Sequence, residues 1–139
     1  ASSDFVSLYE YTKNRNIVFE HRKNDGSKRI SESIFVLNEE NFDDKTDMIF
    51  GGISPVMEIT VSESFGERSS LLVFGDETAK SWLPFLISNY EKITFVELKK
   101  KKKKLLSEIV LEDYEQVLFA YSTFSFVSGI DFEKLEFIE

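Results

Sequence analysis

Hydrophobic and polar residues alternate at the start of the chain. Over residues 5–11, Phe5, Ser7, Tyr9 and Tyr11 fall on one side and Val6, Leu8 and Glu10 on the other, the period-two spacing of a strand. Residues 17–21 form a second β-rich run, divided from the first by the turn-forming stretch 13–16. Asn24-Asp25-Gly26 supplies the positive-φ residues of a tight hairpin, which returns the chain through Lys28 to Ile30. Residues 39–47 are acidic and loop-like. A Gly51-Gly52 break and Pro55 precede an alternating strand over residues 57–62. Up to about Ser70 the pattern is one of strands and turns.

From Leu71 the pattern changes. Leu71-Leu72-Val73-Phe74 is continuously apolar and stops at Gly75-Asp76, the signature of a strand buried on both faces. Ala79, Trp82, Leu83, Leu86, Ile87 and Tyr90 then share one helical face, predicting a helix over 77–90 that Pro84 either kinks or truly begins. Residues 93–96 predict a second buried strand. Leu105, Leu106, Ile109 and Val110 predict a shorter helix, and residues 117–121 a third strand. A β-α-β-α-β run closes into a parallel sheet with right-handed crossovers. The expectation is one α/β domain over residues 1–139: a β-rich part (1–70) forming an antiparallel extension, and a β-α-β-α-β part (71–139).

Composition narrows the classes. At 139 residues, with 42% hydrophobic and 14% aromatic residues, the chain can bury one core, and disorder does not describe it. No apolar run approaches the roughly 18 residues of a membrane-spanning helix, and residues 1–4 lack the basic and apolar segments of a signal peptide. Cysteine is absent, which excludes disulfides, thiolate metal sites and cysteine nucleophiles. The net charge of −8 hides an asymmetry, because six of the 17 basic residues are the consecutive lysines 99–104. Without them, 11 basic residues face 25 acidic ones, a charge of −14 that would repel a nucleic-acid backbone. The run itself reads as a solvated segment, mostly in the loop after strand 93–96, since cations are disfavoured at a helix N-terminus.

Ligands of open parallel α/β sheets bind beyond the carboxyl ends of the strands. Those ends are Gly75-Asp76-Glu77, Glu97-Leu98 and Ser122-Thr123. The acidic pair at 76–77 suits a divalent cation or a general base, and equally a helix cap and first-turn acid. The single histidine, His21, lies among charged residues of a strand and reads as exposed and without a role. Ser81 reads as a helix-surface serine. Gly51-Gly52 lacks the lysine and hydroxyl residue of a phosphate-binding loop and reads as a turn. Tyr121, Phe124, Phe126 and Phe132 read first as core and loop packing.

The block Leu71-Leu72-Val73-Phe74-Gly75-Asp76-Glu77-Thr78-Ala79, continuing to Leu83-Pro84-Phe85-Leu86, resembles the nucleophile block of SGNH (GDSL-type) hydrolases, in particular the DHHW branch related to polysaccharide O-acetylation enzymes. Leu8-Tyr9-Glu10-Tyr11 and Met48-Ile49-Phe50-Gly51-Gly52, with Pro55, resemble segments that precede that block. Tyr90-Glu91-Lys92-Ile93 through Glu97-Leu98, then Tyr114 to Phe119 and Tyr121-Ser122, resemble segments that follow it.

The resemblance implies an SGNH/flavodoxin-like fold, the C-terminal portion of a longer protein, and a cell-envelope or extracellular setting. Where that family carries its nucleophilic serine, this chain has Glu77. Ile53 and Ser54 stand where Asn-His is usual, and lysines replace a basic-aromatic stretch after Leu98. A carboxylate in acyl transfer would give a mixed anhydride rather than an acyl-serine ester. The implied protein is therefore catalytically inactive as this chain, a binding or scaffold module of cell-envelope polysaccharide modification whose partner is acetylated polysaccharide or an upstream domain, with a candidate pocket of Gly75, Asp76, Glu77, Gly51, Gly52, Ser54 and Ser122, no cofactor and no metal. The alternatives are a fragment of an active esterase or O-acetyltransferase, and a redesigned sequence on such a backbone.

Overall fold

A computed structural model describes residues 16–35, 49–51, 53–61, 69–100, 106–130 and 132–138. The strand expected at 5–11, the acidic loop at 39–47, Gly52 and lysines 101–104 lie outside the described residues. Six strands, β1 (Ile17–Arg22), β2 (Lys28–Ser31), β3 (Val56–Val61), β4 (Ser69–Gly75), β5 (Tyr90–Val96) and β6 (Gln116–Ala120), form one sheet in the order β2-β1-β3-β5-β4-β6. β4 runs parallel to β5 and to β6, while β1, β2, β3 and β5 pair antiparallel. The expected α/β run and its antiparallel extension thus share a single mixed sheet, joined where β3 meets β5.

Local chemistry accounts for these elements. In the β1–β2 hairpin, Gly26 takes φ +87, and the Asp25 carboxylate accepts from the Ser27 amide and hydroxyl at 2.8 and 2.6 Å. β4 shows why its sequence has no alternation. Leu71 and Val73 enter one core cluster, and Leu72 and Phe74 enter the other. The first core is built on Phe19, Met57, Ile59 and Phe95 and is covered by Ala79, Leu83, Ile87 and Phe50. The second is closed by Leu98, Leu106 and Ile109, with Tyr114, Ile130 and Leu135 against it.

The helices are shorter than the periodicity predicts. The 77–90 face is an α-helical turn at Ala79–Trp82 followed by a 3-10 segment Leu83–Asn89, and Tyr90 already belongs to β5. Pro84 has no N–H for the carbonyl four residues earlier, so the α-helical ladder stops there. Ala79, Leu83 and Ile87 are nonetheless buried, so the apolar spacing identified the packed face correctly while overstating the helix. Leu105 lies outside the described residues, and Leu106 is helical. Residues 107–108 form a turn, and Ile109 and Val110 follow outside any helix, Val110 extended and exposed, before a 3-10 turn at Leu111–Asp113. After β6 the chain forms a helix, Thr123–Ser128, and a 3-10 segment, Phe132–Phe137, neither of which the pattern predicted. No helix of the described residues is long and apolar enough to cross a membrane.

Candidate functional site

The carboxyl ends of β4, β5 and β6 meet at one edge of the sheet, and Gly75 makes their close approach possible. A Cβ at that position would lie 2.8 Å from the Ala120 carbonyl oxygen and 3.0 Å from the Phe95 ring. Asp76 follows and is 6% exposed. Its Oδ1 accepts from the Thr78 amide at 3.0 Å and from the Thr78 hydroxyl. Its Oδ2 accepts from the Ser122 amide and hydroxyl, both at 2.8 Å, and from the Ser125 hydroxyl at 2.5 Å. One carboxylate therefore ties the turn after β4 to the turn after β6. Burial alone would raise its pKa, but the hydrogen bonds from Ser125, Thr78 and Ser122 outweigh that and hold Asp76 well below the usual carboxylate range. It is an anion at any ordinary pH, and its lone pairs are already engaged.

Beside Asp76 opens a cavity of about 280 Å³. Glu77 and Thr78 line one side, both exposed, and Ser122, Ser125 and Phe124 line another. Glu97, 2% exposed, and Lys99 complete the wall, and a Glu97 carboxylate oxygen accepts from the Lys99 amide at 3.1 Å. The Lys99 ammonium donates to the Ser128 hydroxyl at 3.1 Å. Phe124 is 78% exposed at the rim, so it belongs to the surface rather than to the packing expected of it. Next to Ser122, the Tyr121 hydroxyl is shielded from solvent and has no hydrogen-bond partner among the described residues. Burial, reinforced by Glu97 and Asp76, pushes its pKa up, so the hydroxyl keeps its proton. Among the described residues, no three His, Asp or Glu side chains are grouped to hold a metal ion.

Gly75, Asp76, Glu77 and Ser122 thus come together. Glu97, which the strand-end rule also marked, lines the same cavity, and Thr78, Lys99, Phe124 and Ser125 join it, four residues not among the expected pocket. Ser125 carried a signal, because it stands three residues after Ser122, the spacing of a helix N-cap and the amide it accepts from. Ser81 is exposed, as expected, and donates to the Thr78 carbonyl at 2.7 Å.

Ser54 lies elsewhere on the same edge. Its hydroxyl is 2.6 Å from Nδ1 of His21 near the end of β1, three strand spacings, or about 14 Å, from β4. The expectation of an exposed histidine is corrected here. His21 is 6% exposed, because residues 17, 19 and 21 point into the first core while 18, 20 and 22 point away. The charged neighbours that suggested exposure, Glu20 and Arg22, sit on the opposite face, where Arg22 pairs with Glu20 at 2.6 Å and with Glu58 at 3.2 Å. Before Ser54, Phe50 and Gly51 both take positive φ, +67 and +66, a conformation that glycine adopts freely and phenylalanine rarely does. Phe50 is nevertheless fully buried, with its ring 5.4 Å from Phe19.

No protein-family model matches the sequence, and no curated protein matches it. Solved structures do share its fold. A DHHW family protein from Eubacterium siraeum aligns with 90% of this chain at a TM-score of 0.62 and 20% identity. PatB1 from Bacillus cereus aligns with 76% at a TM-score of 0.55 and 16% identity, and PatB1 with a sulfonyl adduct with 88% at 0.58 and 17%. The fold of the chain is that α/β fold. The chain spans about two fifths of the length of these neighbours, 41% of the first and 35% and 41% of the two PatB1 chains.

Proposed function

We propose that the cavity at the carboxyl ends of β4 and β6 binds acetylated carbohydrate without turning it over, as a relative of the DHHW-type SGNH proteins. The observation that carries this reading is Asp76, whose carboxylate is saturated by five hydrogen bonds that organise the cavity wall rather than a reaction. Glu77 stands where a serine nucleophile would be expected. The serines that do line the cavity face a carboxylate far too weak a base to activate them. What remains suits sugar recognition: carboxylates and hydroxyls for polyol hydrogen bonds, and the exposed Phe124 ring for stacking against a pyranose face.

The test is titration of the folded chain with a panel of O-acetylated and unacetylated oligosaccharides, followed by heteronuclear NMR. Shifts centred on residues 76–78 and 122–125, with affinity falling about tenfold in Phe124→Ala, are expected. No binding to any member of a broad panel at millimolar concentration overturns the reading.

A second reading is favoured by β6. Val117, Leu118 and Phe119 are 46%, 38% and 50% exposed on this outermost strand. An apolar edge of this kind, in a chain two fifths the length of its structural neighbours, suits a fragment of an esterase or O-acetyltransferase whose remaining part completes the sheet. Hydrolysis of a small acetyl ester at the strand-end cavity by a longer chain, and not by this one, distinguishes the two.

A further inference from the structure

We propose that Ser54 and His21 form a second reactive site, a nucleophile–base pair that accepts an acyl group from small activated esters independently of the strand-end cavity. The Ser54 hydroxyl lies 2.6 Å from His21 Nδ1, within the reach over which a base takes a proton. With the ring proton on Nε2, Nδ1 presents its lone pair to that hydroxyl. The base is buried and the nucleophile partly exposed, which is the disposition an incoming ester requires.

Both partners are held in place. The His21 ring packs edge-on against Phe19, with centroids 4.1 Å apart and planes at 66°. Phe19 in turn rests on Phe50, so the first core fixes the ring. Ser54 is set between the positive-φ pair Phe50–Gly51 and Pro55, which restricts the backbone of the residue before it. The Pro55 carbonyl accepts from the Glu97 amide at 3.0 Å, anchoring the segment to the end of β5. A positive φ at a buried phenylalanine is a backbone cost that the surrounding packing must hold in place, and it lies four residues before the hydroxyl it helps to aim.

The reaction follows from the geometry. Ser54 Oγ attacks the acyl carbonyl while its proton passes to His21 Nδ1. The bond to the leaving alcohol breaks as that proton moves to the departing oxygen, leaving an acyl ester on Ser54. Water then attacks the acyl carbon as its proton passes to the same nitrogen, the bond from the acyl carbon to Ser54 Oγ breaks as Oγ takes that proton back, and the acid leaves with the serine restored. Among the described residues no carboxylate is bonded to the ring; the charged groups acting on it are Arg29 of β2 and Lys23 of the turn between β1 and β2, both cationic. Met57 is its neighbour on β3, and Glu20, Arg22 and Glu58 occupy the other face. Burial first, then Arg29 and Lys23, lower His21 to a pKa of about 4. The ring is therefore an unprotonated but weak base at neutral pH, so acylation is slow.

The folded chain is treated with a fluorophosphonate and, separately, with p-nitrophenyl acetate, and intact mass and peptide mapping locate the adduct. One adduct on Ser54 is expected, absent in Ser54→Ala and formed at least 100-fold more slowly in His21→Asn. In the unaltered chain, the labelling rate should rise as pH passes about 4 and stay level from pH 6 to pH 8. This profile needs no variant, so the test stands even where His21→Asn fails to fold. An adduct on another residue, a rate that climbs tenfold per pH unit as hydroxide-driven labelling does, or no adduct on a folded chain overturns the assignment. Glycan binding is read at other residues, so the two proposals fail separately.

Discussion

Replacing Asp76 with asparagine changes one atom and should disturb two loops at once. The amide keeps an acceptor for the Thr78 N–H, but its NH₂ now faces the Ser122 amide and the hydroxyls of Ser122 and Ser125. The hydroxyls can rotate to accept, whereas the Ser122 amide cannot, and a donor left unmatched in a part-buried site costs about 1–3 kcal/mol. Loss of charge assistance in the remaining bonds brings the expected destabilisation to roughly 2–4 kcal/mol. For a chain of this size that is a fall of roughly 7–14 °C in Tm. Urea and thermal unfolding followed by circular dichroism measure it.

The pH dependence supplies a second arm. The folded pKa of Asp76 lies below its unfolded value, so its contribution is complete above the ordinary carboxylate range and is lost as pH falls through that range and below it. Between pH 7 and pH 3 the parent should therefore lose more stability than Asp76→Asn, and the two curves should converge in acid. A variant within about 0.5 kcal/mol of the parent at pH 7, or parallel acid limbs, would refute the claim that this carboxylate joins the two loops.

Other substitutions probe the frame around that residue. Gly75→Ala forces a Cβ against the Ala120 carbonyl oxygen and the Phe95 ring and should cost about 1–3 kcal/mol in urea unfolding, with the loss of signal dispersion at residues 76–78 read by NMR. Leu72→Ala empties a fully buried site and should cost about 2–5 kcal/mol, whereas Leu118→Ala on the exposed strand should stay within about 0.5 kcal/mol. Glu58→Gln removes one partner of a part-buried ion pair that keeps Glu20 as its second acceptor, so a loss below about 1 kcal/mol is expected, shrinking in salt. His21 is neutral in the fold with a pKa lowered to about 4, so the stability it contributes is complete above its unfolded value near 6.5 and is lost as pH falls from there through 4. An imidazole NMR titration with its midpoint near 6.5 in the folded chain would contradict this.

The sheet was legible because its strands carry two distinct patterns. A β-rich run between turns marked β1, alternation marked β3, and continuous apolarity marked β4, whose successive residues serve both cores. The helices were less legible. The spacing of Ala79, Leu83 and Ile87 reports which side is buried, and a 3-10 segment after Pro84 buries that side as well as an α-helix does. Single-sequence periodicity does not separate the two. At the candidate site, the strand-end rule located Asp76 and Ser122 without showing that one accepts from the other. Forty-six residues separate them, and their meeting depends on β4 and β6 being neighbours. His21 was misread for a related reason. Its flanking charges are adjacent in sequence and on the opposite face in space, so local polarity predicted exposure where the alternation of Ile17, Phe19 and His21 already predicted burial.

The carboxyl edge of the sheet divides the components of serine chemistry between two places. At β4 and β6 there are hydroxyls, a cavity and a fixed anion, but the sequence holds a single histidine, and it lies about 14 Å away along the edge. At β1 and β3 there is a hydroxyl on an imidazole nitrogen, with cations rather than a carboxylate near the ring. A carboxylate beside imidazole raises its basicity and stabilises the imidazolium, and Asp76 is too distant and too fully engaged to do so. That division is what the proposed binding role of the strand-end cavity rests on. The Ser54–His21 pair is suited to slow acylation, and it would gain speed from a carboxylate within reach of Nε2. Introducing an acid near that nitrogen should raise both the His21 pKa and the labelling rate, whereas an acid added at the cavity should change neither.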